Sequence, residues 1–95
     1  MPAYVVVEIE VKDPERYEDY KKMSPVSIKE FGGKFIVRGA PCETLEGAWL
    51  PKRFVVIEFP SKDVAKAWWS SQEYAAAKTL RQETSHTKMI VVDGL

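Results

Sequence analysis

The segment Arg53-Phe54-Val55-Val56-Ile57-Glu58-Phe59-Pro60-Ser61 constrains the fold more than any other. Its β-branched and aromatic residues predict a strand, which Pro60 stops and Ser61 turns into a helix start. Side chains alternate along a strand, so Val55, Ile57 and Phe59 share one face with Arg53 at its edge. Phe54, Val56 and Glu58 share the other. A strand apolar on both faces, interrupted by one carboxylate, belongs in the middle of a sheet that is covered on both sides.

The rest of the chain supplies that sheet. Ala3 to Val11 alternates cleanly: Val5, Val7, Ile9 and Val11 form an apolar face, and Tyr4, Val6, Glu8 and Glu10 a mixed one. Asp13-Pro14 opens a helix, with aspartate as N-cap and proline where no N–H is needed. Tyr17, Tyr20, Lys21, Ser24, Ile28 and Phe31 follow helical spacing. Ser24-Pro25 inside that pattern predicts a kink or a restart capped by Ser24, and Gly32-Gly33 ends the helix. Lys34 to Gly39 reads as a second strand, with Phe35 and Val37 on one side and Ile36 and Arg38 on the other. Ala40 to Lys52 reads as a long connection with short strand extensions around Glu43–Glu46. Ser61 caps a helix with Val64, Ala65 and Trp68 on one face. Ser70 with Glu73 forms a capping-box pattern for a further helix showing Tyr74, Ala77, Lys78 and Arg81 along one side. Thr87 to Val92 is the last strand.

The order β-α-β-β-α-β, with short loops and right-handed crossovers, predicts an α+β, ferredoxin-like sandwich: four antiparallel strands with the helices on one face. The covered face should carry Val5, Val7, Ile9, Phe35, Val37, Val55, Ile57 and Phe59. The opposite face would carry Tyr4, Val6, Glu8, Ile36, Arg38, Phe54, Val56 and Glu58, which is too apolar to stand in water. A second copy of the chain packing on it as a homodimer is the simplest cover. Ninety-five residues hold one domain and one core.

Lysine plus arginine and aspartate plus glutamate number 14 each, so no basic excess points to nucleic acid. The longest apolar runs are strand-sized, which speaks against a membrane span. The Met-Pro-Ala-Tyr start lacks the regions of a signal peptide, and one cysteine excludes an internal disulfide, so a cytoplasmic protein is the expectation.

Several stretches together resemble a known family. They are Pro2 to Ile9, Asp13-Pro14-Glu15-Arg16-Tyr17, Gly32-Gly33-Lys34-Phe35, Val37-Arg38-Gly39, Leu45-Glu46-Gly47-Ala48-Trp49, Arg53 to Ser61, and Ala67 to Tyr74 with Leu80-Arg81. The family is the domain of unknown function family 1330. Departures are small: Ala40 stands where the family has glycine, and Gln72 where proline is common. The resemblance implies a dimeric α+β barrel in which two four-stranded sheets face each other. The wider superfamily includes cofactor-free monooxygenases, muconolactone isomerase, stress-responsive proteins and haem peroxidases, so the resemblance leaves the reaction open.

Among the residues themselves, Arg38 and Glu58 lie on neighbouring strands and, by parity, share the mixed face. As a catalytic pair the arginine would hold a carboxylate or enolate and the glutamate move a proton; as a structural pair they would satisfy each other. Glu8 and Tyr4 on that face are ligand-binding candidates. His86, the only histidine, reads as an exposed turn residue, with a general base or an axial haem ligand as its functional alternatives, although nothing else in the chain speaks for haem. Cys42 follows Pro41 with no local base, so it reads as a plain loop cysteine rather than a nucleophile. Tyr17, Tyr20, Trp68 and Tyr74 read as core, or as walls of a small apolar pocket between helix and sheet anchored by one phenol; Tyr17 and Trp68 are its ligand-binding candidates. Trp49 and Leu50 would cover a pocket mouth or reach across the dimer. No dinucleotide fingerprint, P-loop, zinc spacing or nucleophile elbow is present, so no cofactor and no metal are expected. Two functions fit: a cofactor-independent isomerase or monooxygenase acting on a small aromatic or carboxylated metabolite, or a non-catalytic binding or structural dimer.

Overall fold

Local signals start and stop the elements of the computed structural model, which describes all residues from Met1 to Leu95. β1 (Ala3–Val11) leads into α1 (Pro14–Glu30), where Asp13 accepts the Arg16 N–H at 3.2 Å and Pro14 fills the first turn. Gly32, at φ 72°, ends the helix. Its neighbour Gly33 returns an N–H to the Ile28 carbonyl at 2.8 Å, so carbonyls left open by the helix end find donors. β2 (Lys34–Arg38) and β3 (Arg53–Phe59) follow. Ser61 then caps α2 (Lys62–Trp69) by accepting the Val64 N–H at 3.1 Å. α3 (Gln72–Thr84) and β4 (Ser85–Asp93) complete the chain. The strands form one antiparallel sheet in the order β2-β3-β1-β4, with β3 and β1 central, and the helices lie on one face. This is the ferredoxin-like α+β arrangement.

Four details correct the sequence reading. α1 runs through Pro25 without restarting: Ser24 is buried and caps nothing, and its carbonyl accepts the Ser27 hydroxyl at 3.2 Å. Proline at 25 deprives the Lys21 carbonyl of its helical donor, and Arg38 Nη2 supplies one at 2.8 Å. Ser71, not Ser70, caps α3, accepting the Tyr74 N–H at 3.1 Å, while the Ser70 hydroxyl donates back to Lys66 and closes α2. The 40–52 connection contains no strand around Glu43–Glu46. β4 starts two residues earlier than expected, so His86 lies within a strand rather than in a turn.

The largest correction concerns β2. Its register against β3 slips between Phe35 and Val37: Phe35 pairs with Ile57, Val37 with Val56, and Arg38 with Val55. Ile36 is the extra residue of a β-bulge, and one extra residue inverts the facing of everything after it. Val37 therefore joins Val56 on the open face. Arg38 joins Val55 on the helix side.

The core fills the space between sheet and helices. Val5, Val7, Ile9, Val55, Ile57 and Phe59 meet Tyr17, Tyr20, Ile28, Ala65, Trp68, Tyr74 and Ala77 in one buried cluster. Trp68 is fully buried, stacked on Tyr74 at 4.1 Å and on Phe59 at 5.2 Å between ring centroids. The molecule measures 35 × 33 × 16 Å, and its short dimension accommodates a sheet and a helix layer but no third layer. One sheet face is left uncovered.

Candidate functional site

Pairing across the sheet sets the uncovered face out in rows. Lys34, Glu58, Tyr4 and Val92 form one, and Val37, Val56, Val6 and Ile90 the next. Phe54, Glu8 and Lys88 form a third, with Glu10 and His86 paired beyond them. A central apolar band is thus flanked by charged rows. Ile90 is 63% exposed and Val92 46%, although both are β-branched residues in mid-strand.

Glu58 accepts the Tyr4 hydroxyl at 3.1 Å and pairs with Lys34 at 3.2 Å. That hydrogen bond, to a carboxylate that would repel a phenolate, holds the Tyr4 pKa above the usual tyrosine value. Arg38 is absent from this network because the bulge has turned it to the other side. There it caps the Lys21 carbonyl and lies over the Phe35 ring at 4.4 Å. Arg38 and Glu58 therefore form no pair. Glu8 accepts the Trp49 indole N–H at 3.1 Å, and Trp49 meets Phe54 edge-on, so the 40–52 connection folds over one end of the open face. His86 stands exposed opposite Glu10. Hydrogen bonds from Lys12 and Lys52 draw the Glu10 carboxyl down to about 2.

The helix side holds a second feature. A cleft of about 460 Å³ lies between α2, the start of α3's last turn and the β1–β4 edge. Val5, Ala65, Trp68, Met89 and Val91 make its apolar walls, with Trp69 and Lys66 toward the rim. Trp68, a ligand-binding candidate from the sequence, is a wall of this cleft. Its indole N–H is used elsewhere, donating to Ser27 at 3.1 Å, so Trp68 offers the cleft surface and no hydrogen bond. Tyr17 lies away from the cleft, in the core near Arg53, whose guanidinium carbon is 5.7 Å from the Tyr17 ring centre. Burial raises the Tyr17 pKa, and that of Tyr20 further.

The buried polar group of the cleft is Arg81, and no phenol lines it. Its Nε donates to the Tyr74 hydroxyl at 3.2 Å, and that hydroxyl is 2.7 Å from Tyr20's. The two phenols are thus tied to each other and to the arginine behind the cleft wall. The sequence did carry a signal for Arg81: an arginine four residues after Ala77 and seven after Tyr74, on the stripe that α3 buries. No three carboxylate, imidazole or thiol groups converge anywhere in the structure, and no helix is long and apolar enough to cross a membrane.

Solved structures share this fold at low sequence identity. A protein of unknown function from Rhodopseudomonas palustris aligns with a TM-score of 0.79 and 18% identity, over 99% of this chain and 82% of its own. A dimeric ferredoxin-like protein of unknown function from Jannaschia sp. CCS1 aligns at 0.73 and 10%, over 99% of this chain and 100% of its own. SnoaB, a cofactor-independent oxygenase from Streptomyces nogalater, aligns at 0.58 and 10%, over 99% and 93%. At these identities the likeness concerns the fold alone. No curated protein matches the sequence. The model of the family "Domain of unknown function (DUF1330)" matches residues 2–95, and the chain belongs to that family.

Proposed function

We propose that this protein is a homodimer in which each subunit binds a small apolar metabolite in the cleft between α2, α3 and β4. The observation that carries the reading is the cleft itself: about 460 Å³ with seven of ten lining residues hydrophobic, whereas the space among the core residues around Tyr17 and Tyr20 is only about 20 Å³. That volume lies within the range of ordinary ligand sites. Dimerisation draws on the open face. Its Val37-Val56-Val6-Ile90 band would be buried by a second copy, as the Jannaschia protein's dimeric description suggests. In this reading Tyr4, Glu8 and Glu58 are polar groups of the interface, with Lys34 as the partner of Glu58. His86 would sit at the interface rim.

The test uses intrinsic tryptophan fluorescence, since Trp68 and Trp69 line the cleft. Naphthalene-1-methanol and 1-naphthoate should each quench or shift it saturably. Val91→Phe, which fills the cleft from a partly exposed strand position, should weaken both. If neither probe saturates the wild-type protein, the cleft is not a ligand site.

A second reading is oxidation of the bound metabolite by dioxygen without a cofactor, the chemistry for which SnoaB is described. The guanidinium in the cleft wall favours it, because a cation there would stabilise the substrate enolate or phenolate that donates electrons to oxygen. Oxygen uptake with phenolic probes, lost in Val91→Phe, would select this reading; no uptake with any cleft-binding phenol would leave binding alone.

A further inference from the structure

Arg81 is 4% exposed, and no carboxylate lies within salt-bridge distance of it. A buried guanidinium is normally paired, because removing a charge from water costs several kcal/mol unless hydrogen bonds and a counter-charge replace the hydration. Here Tyr74 satisfies only Nε. The terminal nitrogens make no hydrogen bond to the protein, yet Arg53 Nε is the one buried side-chain nitrogen sealed without a partner. The fork of Arg81 therefore opens to the cleft that it lines. Its position in the last turn of α3 offers partial compensation, since carbonyls at a helix C-terminus favour a cation. That field does not supply in-plane acceptors for four N–H groups.

The cleft's other charges agree. Lys66 is the second charged residue in the lining, and neither aspartate nor glutamate is among the ten. The site is positive at its wall and rim and, apart from Ser70, apolar elsewhere.

Building on the cleft as a ligand site, we propose that its ligand is a monocarboxylate with an apolar, ring-sized body, its carboxylate held by the terminal nitrogens of Arg81. A planar fork matches a carboxylate through two parallel hydrogen bonds. Lys66 is exposed and keeps its hydration, so the one buried cation is the Arg81 guanidinium, and a single negative charge matches it better than the two of a phosphate monoester. Tyr74 fixes the fork by holding Nε, and Tyr20 in turn holds Tyr74, so the three form a support built before the ligand arrives.

The experiment compares 1-naphthoate, naphthalene-1-methanol and 1-naphthyl phosphate by calorimetry on the protein as purified, with Arg81→Met, Arg81→Lys and Val91→Phe alongside. The expected result is that wild type prefers naphthoate over the alcohol by roughly 10- to 100-fold, the worth of a charge-assisted hydrogen-bonded pair. The preference should vanish in Arg81→Met and return partly in Arg81→Lys. Val91→Phe should weaken naphthoate binding. Equal binding of naphthoate and alcohol to wild type overturns the carboxylate anchor while leaving the cleft reading intact, and absence of all binding overturns the cleft reading itself. Should Arg81→Met fail to fold, the wild-type preference still decides the ligand class. A preference that persists in folded Arg81→Met places the anchor elsewhere, and tighter binding of the phosphate overturns the monocarboxylate class.

Discussion

Replacing Tyr74 with phenylalanine tests the support behind Arg81 without touching its packing. The ring would keep its 4.1 Å stack on Trp68 and its edge contact with Tyr20, so no cavity opens. What goes is one hydroxyl, which sits 2.7 Å from the Tyr20 hydroxyl and accepts from Arg81 Nε at 3.2 Å. Tyr20 is 8% exposed and Arg81 4%, so neither orphaned partner reaches bulk water easily. Leaving a buried polar group unpaired costs about 1–3 kcal/mol, and two are orphaned here, so Tyr74→Phe should cost roughly 2–6 kcal/mol. Tyr20→Phe removes a partner but leaves Tyr74 bonded to Arg81, and should cost only about 1 kcal/mol. In the double variant only Arg81 Nε remains orphaned, so the combined cost should fall below the sum of the singles. Urea unfolding followed by circular dichroism at one fixed protein concentration measures all three, since any self-association makes apparent stability depend on concentration. A Tyr74→Phe protein within about 0.5 kcal/mol of wild type would refute the reasoning. So would a Tyr20→Phe variant that is the less stable of the two.

Arg38→Ala should cost up to about 1 kcal/mol in the natural chain by freeing the Lys21 carbonyl, and less in a Pro25→Ala background, where a helical N–H returns to that carbonyl; equal costs in the two backgrounds by urea unfolding would show that the contact is incidental. Glu10 has its pKa lowered to about 2 in the folded protein by Lys12 and Lys52. A carboxyl depressed on folding contributes stability above its unfolded value of about 4.3, and the contribution is lost as pH falls through that range toward 2. Glu10→Gln should therefore flatten the acid limb of a stability–pH curve between about pH 5 and 2, more visibly at low salt; an unchanged limb would mean that the lysines do not hold Glu10 in solution. At Gly33 an added Cβ would lie 2.7 Å from Phe59 Cε1 and 2.9 Å from Ile28 Cγ2. Gly33→Ala should thus lose about 1–3 kcal/mol by overcrowding, read as a lower thermal midpoint, and a wild-type midpoint would show that the core yields there.

Most of the architecture was legible because it follows from local rules. Alternation in Ala3–Val11 and Arg53–Phe59, the Asp13-Pro14 and Ser61 starts, and the Gly32-Gly33 stop each state a backbone preference within a few residues. The site was less legible. Parity counting put Arg38 beside Glu58, and it failed because Ile36 suits a bulge and a regular strand equally well. The proline in α1 read as an interruption, whereas Arg38 from β2 replaces the missing donor from outside the helix. Ser70 and Ser71 both suit a cap, and the choice depends on how the chain leaves α2.

The sequence by itself determined the order of elements, the apolar character of both sheet faces, and hence the need for a cover on the second, because these depend on residue type and period alone. Only the tertiary structure decided that Arg38 serves the helix side, that Lys34 rather than Arg38 meets Glu58, and that Arg81 is buried without a counter-charge beside an apolar cleft. Register and pairing are properties of two segments together. Whether a charge stands alone depends on what every other segment fails to bring near it.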